Sequence, residues 1–219
     1  MLANDLYYKI ARPDGWDFYT GKTINYRAAI GKEVVPPQPN PSLGLCSAGV
    51  IHASRIAEDC FQGGHCPCSL FVVQGTPVCS DATKSGFTEL LVIEELQPAD
   101  FFKWRYAEAS VPLNPLILAP APVDDEIIGL LNQWASVRAS VWASVRASVR
   151  ASVGDSTGAY VGYLFAPVVP KWKTEYPFQA SIELWKRGLV PGYDGNIWRL
   201  HGGADAQVLY TSPQAQGPG

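Results

Sequence analysis

The chain has 219 residues, of which 47% are hydrophobic and 17% charged, and carries a formal net charge of −3. Those totals describe a globular protein with a substantial core, exclude a highly charged disordered chain, and give no general attraction to nucleic acid or anionic membrane. No run of about 18 uncharged apolar residues occurs, so no membrane partner is expected, and the opening MLANDLYYKIARPDG lacks the basic-then-apolar pattern of an export signal, which points to the cytoplasm.

Taken in order, DLYYKIAR (5–12) has the aromatic and β-branched content of a first strand. Pro13-Asp14-Gly15 sets a turn and Gly21 closes the loop that follows, with Thr23–Tyr26 a candidate short strand. Prolines at 36, 37, 39 and 41 stiffen an extended surface connection. Val50–Ala53 reads as a strand. Ser54 is placed to cap a short helix over Arg55–Phe61, which stops before Gly63-Gly64. CSLFVVQG and TPVCSD, separated by a Gly-Thr-Pro turn, predict a hairpin. FTELLVIEEL reads as strand and ADFFKWRYAEAS as helix, because Phe102, Tyr106 and Ala109 share helical spacing. Near the C-terminus, Pro177 suits a first helical turn with Phe178, Ile182 and Trp185 on one face, and Gly188 suits its stop. Tyr193–Asn196 is a turn, and IWRLH and AQVLYT form a hairpin across Gly202-Gly203. The expected class is α+β: an antiparallel β-rich domain over 1–118, a repeat-bearing segment over 119–168, and a helix-hairpin unit over 169–219.

The central segment is periodic. From Trp134 it reads W-ASVR-ASVW-ASVR-ASVR-ASVG, decaying into DSTG and AYVG. Asp124 and Asp125 supply a helix start, and Ile127, Ile128, Leu130, Leu131 and Trp134 supply an apolar stripe. If the helix continues, a period of four overshoots the helical turn by about 40° per unit, so the Ala and Val stripes wind around it. If the segment is extended, Ala and Val share one face and Ser with Arg or Trp the other. The segment's length and its capped start favour helix and the side-chain alternation favours strand; helix is the expected state, an extended segment the alternative.

Several constellations bear on chemistry. Cysteines 46, 60, 66, 68 and 79 fall close together, with His65 among them, and an odd count without an export signal argues against a disulfide framework. Cys60, Cys66, Cys68 and Cys79 are the candidate metal ligands, although the Cys66-Pro67-Cys68 spacing departs from the usual zinc pair, and buried reduced thiols are the favoured reading. Arg138, Arg146 and Arg150, interleaved with Trp142, form a candidate basic-aromatic strip for nucleic acid, against the plainer reading of a solvated face. No phosphate-binding glycine loop, nucleophile elbow or zinc-protease motif occurs, and no cofactor is expected.

Two resemblances follow. Arg12 at the end of the first strand, His52-Ala53-Ser54 at a strand-to-helix step, and Glu89, Glu94 and Glu95 on a later strand are similar in order to the Arg, Ser-x-Ser and Glu arrangement of mono-ADP-ribosyltransferases. The chain lacks the full Ser-Thr-Ser motif. The resemblance implies that Arg12 grips a cofactor phosphate, Ser54 supports the nicotinamide ribose and Glu94 stabilises an oxocarbenium-like centre. The segments GVIHAS (49–54), DCF (59–61) and YPFQASIELWKRGLVPGYDGNIWRLHGG (176–203), together with the array, resemble bacteriophage and environmental proteins that join a small N-terminal domain to ASVW/ASVR-type tetrapeptide arrays. That resemblance implies a phage or prophage source within a host bacterium and no established activity. The leading expectation is therefore a non-enzymatic structural or interaction protein, its array a spacer or assembly element and homo-oligomers its possible partners. An NAD- or ADP-ribose-handling protein and a nucleic-acid binder are the alternatives.

Overall fold

The computed structural model describes the backbone of residues 6–141, 149–172 and 175–213, and their side chains apart from 138–141 and 149–153. The chain is mixed α and β and divides into two compact units, Met1–Ser110 and Val111–Gly219. The helices that carry array residues lie in the second unit together with the C-terminal elements.

In the first unit, strands β1 (Leu6–Ala11), β2 (Glu33–Val34), β4 (Ser69–Gln74) and β7 (Leu90–Leu96) form an antiparallel sheet in the order β1-β4-β7-β2, and β3 (Ile51–Ala53), β5 (Cys79–Ser80) and β6 (Ser85–Phe87) form a second in the order β3-β6-β5. β4 is central because its run Ser-Leu-Phe-Val-Val is buried on both faces, as an uninterrupted apolar strand must be. Tyr7, Phe71, Val73, Leu90 and Val92 from the first sheet and Ile51, Ala53 and Phe87 from the second build one core. Tyr7 meets Phe87 edge-on with ring centroids 4.8 Å apart, a favoured aromatic geometry.

Four sequence expectations change here. The 69–80 hairpin does not form: β4 pairs with β1 and β7, and β5 pairs with β6. A doubly buried strand needs a partner on each edge, and a two-residue β5 could not cover one. The helix over 99–110 is broken into α1 (Pro98–Phe101) and α2 (Tyr106–Ser110). Phe102, Trp104 and Tyr106 pack together, with Phe102 and Trp104 also against Phe61 at centroid distances of 5.0 and 5.4 Å. A helix would turn Phe102 and Trp104 about 200° apart, so burying both requires non-helical backbone between them. Ser54 caps no helix; its backbone exchanges hydrogen bonds with Tyr8 at 2.7 and 3.0 Å, and the turn that follows is a 3₁₀ helix starting only at Ala57. Thr23–Tyr26 is not a strand but a loop segment, held by a bridge between Trp16 and Asn25 and by the Asp17 carboxylate, which accepts the Thr23 and Ile24 N–H groups.

In the second unit, α3 (Asp125–Val141), α4 (Val149–Phe165) and α5 (Gln179–Lys186) accompany a three-stranded antiparallel sheet of β8 (Leu189–Tyr193), β9 (Trp198–Gly202) and β10 (Gln207–Thr211), in the order β10-β9-β8. Asp124 caps α3 by accepting the Ile127 N–H at 3.0 Å. Ile127 and Leu131 of α3 pack with Leu184, Leu189 and Leu200, a fully buried cluster. α4 lays Tyr160 against Trp185 in a stack at 5.3 Å, and Tyr176 donates to the Ala159 carbonyl at 2.5 Å. Gly162 gives that hydroxyl room, since a Cβ there would lie 2.6 Å from it. The predicted C-terminal hairpin is β9-β10; the sequence reading missed β8, whose Leu-Val-Pro-Gly stretch pairs with β9 throughout. Array residues 135–141 and 149–154 are helical, in α3 and α4 respectively, and 142–148 lie outside the described residues. No helix among the described residues is long and apolar enough to cross a membrane.

Candidate functional site: a lysine-bearing cavity in the first unit

A cavity of about 490 Å³ opens in the first unit, within the size range of small-molecule sites. β1 contributes Lys9, the loop after it contributes Asp17, Phe18, Thr20, Thr23 and Tyr26, β3 contributes His52 and leads into Ser54, the 3₁₀ turn contributes Cys60, and the turn before β6 contributes Lys84. Cys46 completes this side.

The loop wall is built on Asp17. Its carboxylate accepts the N–H groups of Thr20 at 2.7 Å, Thr23 at 2.9 Å and Ile24 at 3.3 Å, and the Thr20 hydroxyl at 2.9 Å. Desolvation alone would raise its pKa, but these hydrogen bonds outweigh it and hold the carboxyl below the usual aspartate value. Asp17 is thus an ionised loop clamp whose lone pairs are engaged within the wall.

Lys9 stands in the middle of an otherwise aromatic and apolar strand. Its ammonium position lies 5.6 Å from the Tyr26 ring centroid. Among the described residues no carboxylate is within ion-pair distance of it. Burial of the amine lowers its pKa, and the Asp17 charge offsets part of that shift. Burial also raises the Tyr26 phenol, which stays protonated, and pushes the Cys60 thiol up to about 11. The Cys60 thiol donates to the Tyr8 carbonyl at 3.1 Å.

His52 accepts the Cys46 N–H on Nε2 at 2.9 Å, which puts the proton of the neutral ring on Nδ1. Desolvation, then the charges of Lys9 and Lys84, bring its pKa down to about 4 against the opposing pull of Asp81. Two lysines therefore bear on one imidazole. Lys84 Nζ also lies 3.0 Å from the Cys46 sulfur, and Cys46 itself is held at φ +66°.

Of the sequence-based candidates whose side chains are described, Ser54 and Cys60 line the cavity. Arg12 is exposed and paired with Asp14 at 3.4 Å, and Glu94 is exposed on β7 opposite Val72. The neighbouring Glu95 forms a two-pronged pair with Arg27 at 2.7 and 2.5 Å. The cysteines are dispersed: Cys66 contacts Ser110 at 3.7 Å, Cys68 is buried beneath Tyr106, and Cys79 lies in the second sheet. All five are free, and among the described residues no group of three or more His, Cys, Asp or Glu could hold a metal ion. Arg138, Trp142, Arg146 and Arg150 fall where no side chain is described, so the basic-aromatic strip lies outside the described residues. Sequence reasoning missed Lys9, Asp17 and Lys84. One signal was present: a lone lysine inside LYYKIA, followed by Asp17 spaced three and six residues before two threonines.

Compared with known proteins, the chain matches no family model, no curated protein and no solved structure.

Proposed function

We propose that the first unit is a receptor for a small organic anion, held in the Lys9–Lys84 cavity, and that the chain acts by binding. The observation that carries this reading is Lys9, which lines a cavity of about 490 Å³ and has no carboxylate within ion-pair distance among the described residues. A half-buried lysine with no carboxylate in contact is a place where a bound anion gains a charge partner at little cost. The aromatic and proline lining (Phe18, Tyr26, Pro36, Pro37) supplies apolar contact for the rest of the ligand. A thermal-shift panel of aromatic carboxylates, sugar phosphates, NAD and ADP-ribose tests it. At least one anion raises Tm, and Lys9→Met with Lys84→Met removes the shift; a flat panel refutes the reading. A shift specific to ADP-ribose that Arg12→Ala abolishes would favour the ADP-ribose alternative.

A second reading concerns the array. α3 and α4, which both carry array residues, pack on the same α5–β8 platform, α3 through Ile127 and Leu131 ahead of the array and α4 through Tyr160 in its decayed AYVG end. This supports an array borne by one unit as an assembly element of phage type, tolerant of changes in its number of repeats, rather than a spacer between units. Deleting Ala143–Arg146 leaves Tm and soluble yield unchanged on this reading; loss of soluble protein counts against it.

A further inference from the structure

We infer that the anion held in this cavity carries a carbonyl carbon, and that Lys9 condenses with it to form an imine. The inference rests on the receptor reading above and assigns its ligand class: an α-oxo acid with an apolar tail. Lys9 is fixed on β1, whose backbone is paired with β4 along its whole length, so its amine is presented from a rigid element. Around it, among the described residues, no carboxylate reaches ion-pair distance, and the charge of Asp17 offsets only part of the lowering that burial imposes on its pKa. Asp17 is filled by the loop amides and the Thr20 hydroxyl, and the Cys60 thiol keeps its proton and points it at the Tyr8 carbonyl. Lysine nucleophiles in apolar pockets react through loss of the stabilised ammonium, and the lowered pKa of Lys9, which burial causes, agrees with the geometry. Lys84 lines the same cavity, its Nζ 3.0 Å from the Cys46 sulfur, and supplies the positive charge for the ligand carboxylate.

The step balances without a co-reactant. The Lys9 nitrogen lone pair forms the C–N bond as the carbonyl π pair moves to oxygen. The resulting carbinolamine takes up the two protons that nitrogen releases, loses one water, and leaves a C=N bond to Nζ. No oxidation occurs, and water returns the free amine and the ketone.

The experiment uses phenylpyruvate, which combines a carboxylate, a ketone and a ring. The full-length protein is incubated with it and sodium cyanoborohydride, which reduces an imine to a stable amine, and is then analysed by intact mass and peptide mapping. The expected result is a single mass increase equal to one reduced phenylpyruvyl group, located on Lys9. Lys9→Arg, whose guanidinium forms no imine under these conditions, loses the adduct. Mapping of the unmodified sequence locates the adduct whether or not that variant folds. A thermal shift with no adduct, or with adducts spread over other lysines, overturns the imine and leaves the receptor reading standing. No shift with any anion overturns the receptor reading itself.

Discussion

Tyr106 grips the peptide backbone of Cys68 on both sides, its hydroxyl donating to the Cys68 carbonyl at 2.6 Å and accepting the Cys68 N–H at 2.9 Å. One phenol from α2 thereby satisfies both polar groups of the residue that leads into the central strand β4. Tyr106→Phe leaves a buried N–H and a buried carbonyl without partners. The expected loss is about 2–4 kcal/mol in the stability of the first unit, read as a lower urea midpoint. An unchanged midpoint would mean that water replaces both bonds.

Asp17 offers a similar test in the cavity wall. Asp17→Ala removes the acceptor of three backbone N–H groups and one hydroxyl, and about 1–3 kcal/mol of stability goes with it. Its folded pKa is depressed, so its contribution is present above the ordinary aspartate value of 3.8 and lost as pH falls below it. Wild type and variant therefore differ in Tm at pH 7 and converge in strong acid. Parallel curves over the whole range would exclude the clamp.

His52 gives a pH dependence in a higher window. Its folded pKa of about 4 lies below the ordinary 6.5, so between those values the unfolded chain binds the extra proton. Stability from this group is complete above pH 6.5 and declines as pH falls towards 4. Tm measured from pH 7.5 to 4.5 falls for the wild type, and His52→Gln flattens that fall. If the two slopes are the same, the imidazole is not desolvated between the two lysines.

How much of this was legible in the sequence depends on the range of the forces involved. The strand at Leu6–Ala11, the Asp124 cap, the Gly188 stop and the β9-β10 turn were readable because each is fixed by residues within a few positions of itself. The 99–110 helix was misread because the packing of Phe102 and Trp104 with Phe61, some forty residues away in sequence, overrides helical spacing. The pairing of β4 with β1 was missed for a related reason: a Gly-Thr-Pro turn signals that the chain reverses, not which strand it joins. The cavity was least legible. Lys9, His52, Cys60 and Lys84 come from four separate segments, and neither their spacing nor their order resembles a known motif. A single lysine in an apolar strand was the visible anomaly.

Two glycines of the second unit predict opposite outcomes for the same substitution. Gly188 ends α5 at φ +71°, and its N–H bonds to the Trp185 carbonyl at 3.0 Å, so the chain can reverse directly into β8. A Cβ there would meet the Ala119 carbonyl oxygen at 3.0 Å and Pro120 Cα at 3.1 Å. That backbone is pinned by the Ala121 N–H to the Arg187 carbonyl at 2.9 Å. Gly188→Ala therefore incurs the left-handed penalty of about 1–2 kcal/mol, with the close contact added to it. Gly129, inside α3, has open space at its Cβ position. Gly129→Ala removes unfolded-chain entropy without a clash and stabilises by about 0.4–1 kcal/mol. Thermal melts of the two variants are expected to move in opposite directions from the wild type. A stabilising Gly188→Ala would mean that α5 does not end in the left-handed turn on which the register of β8 against β9 depends.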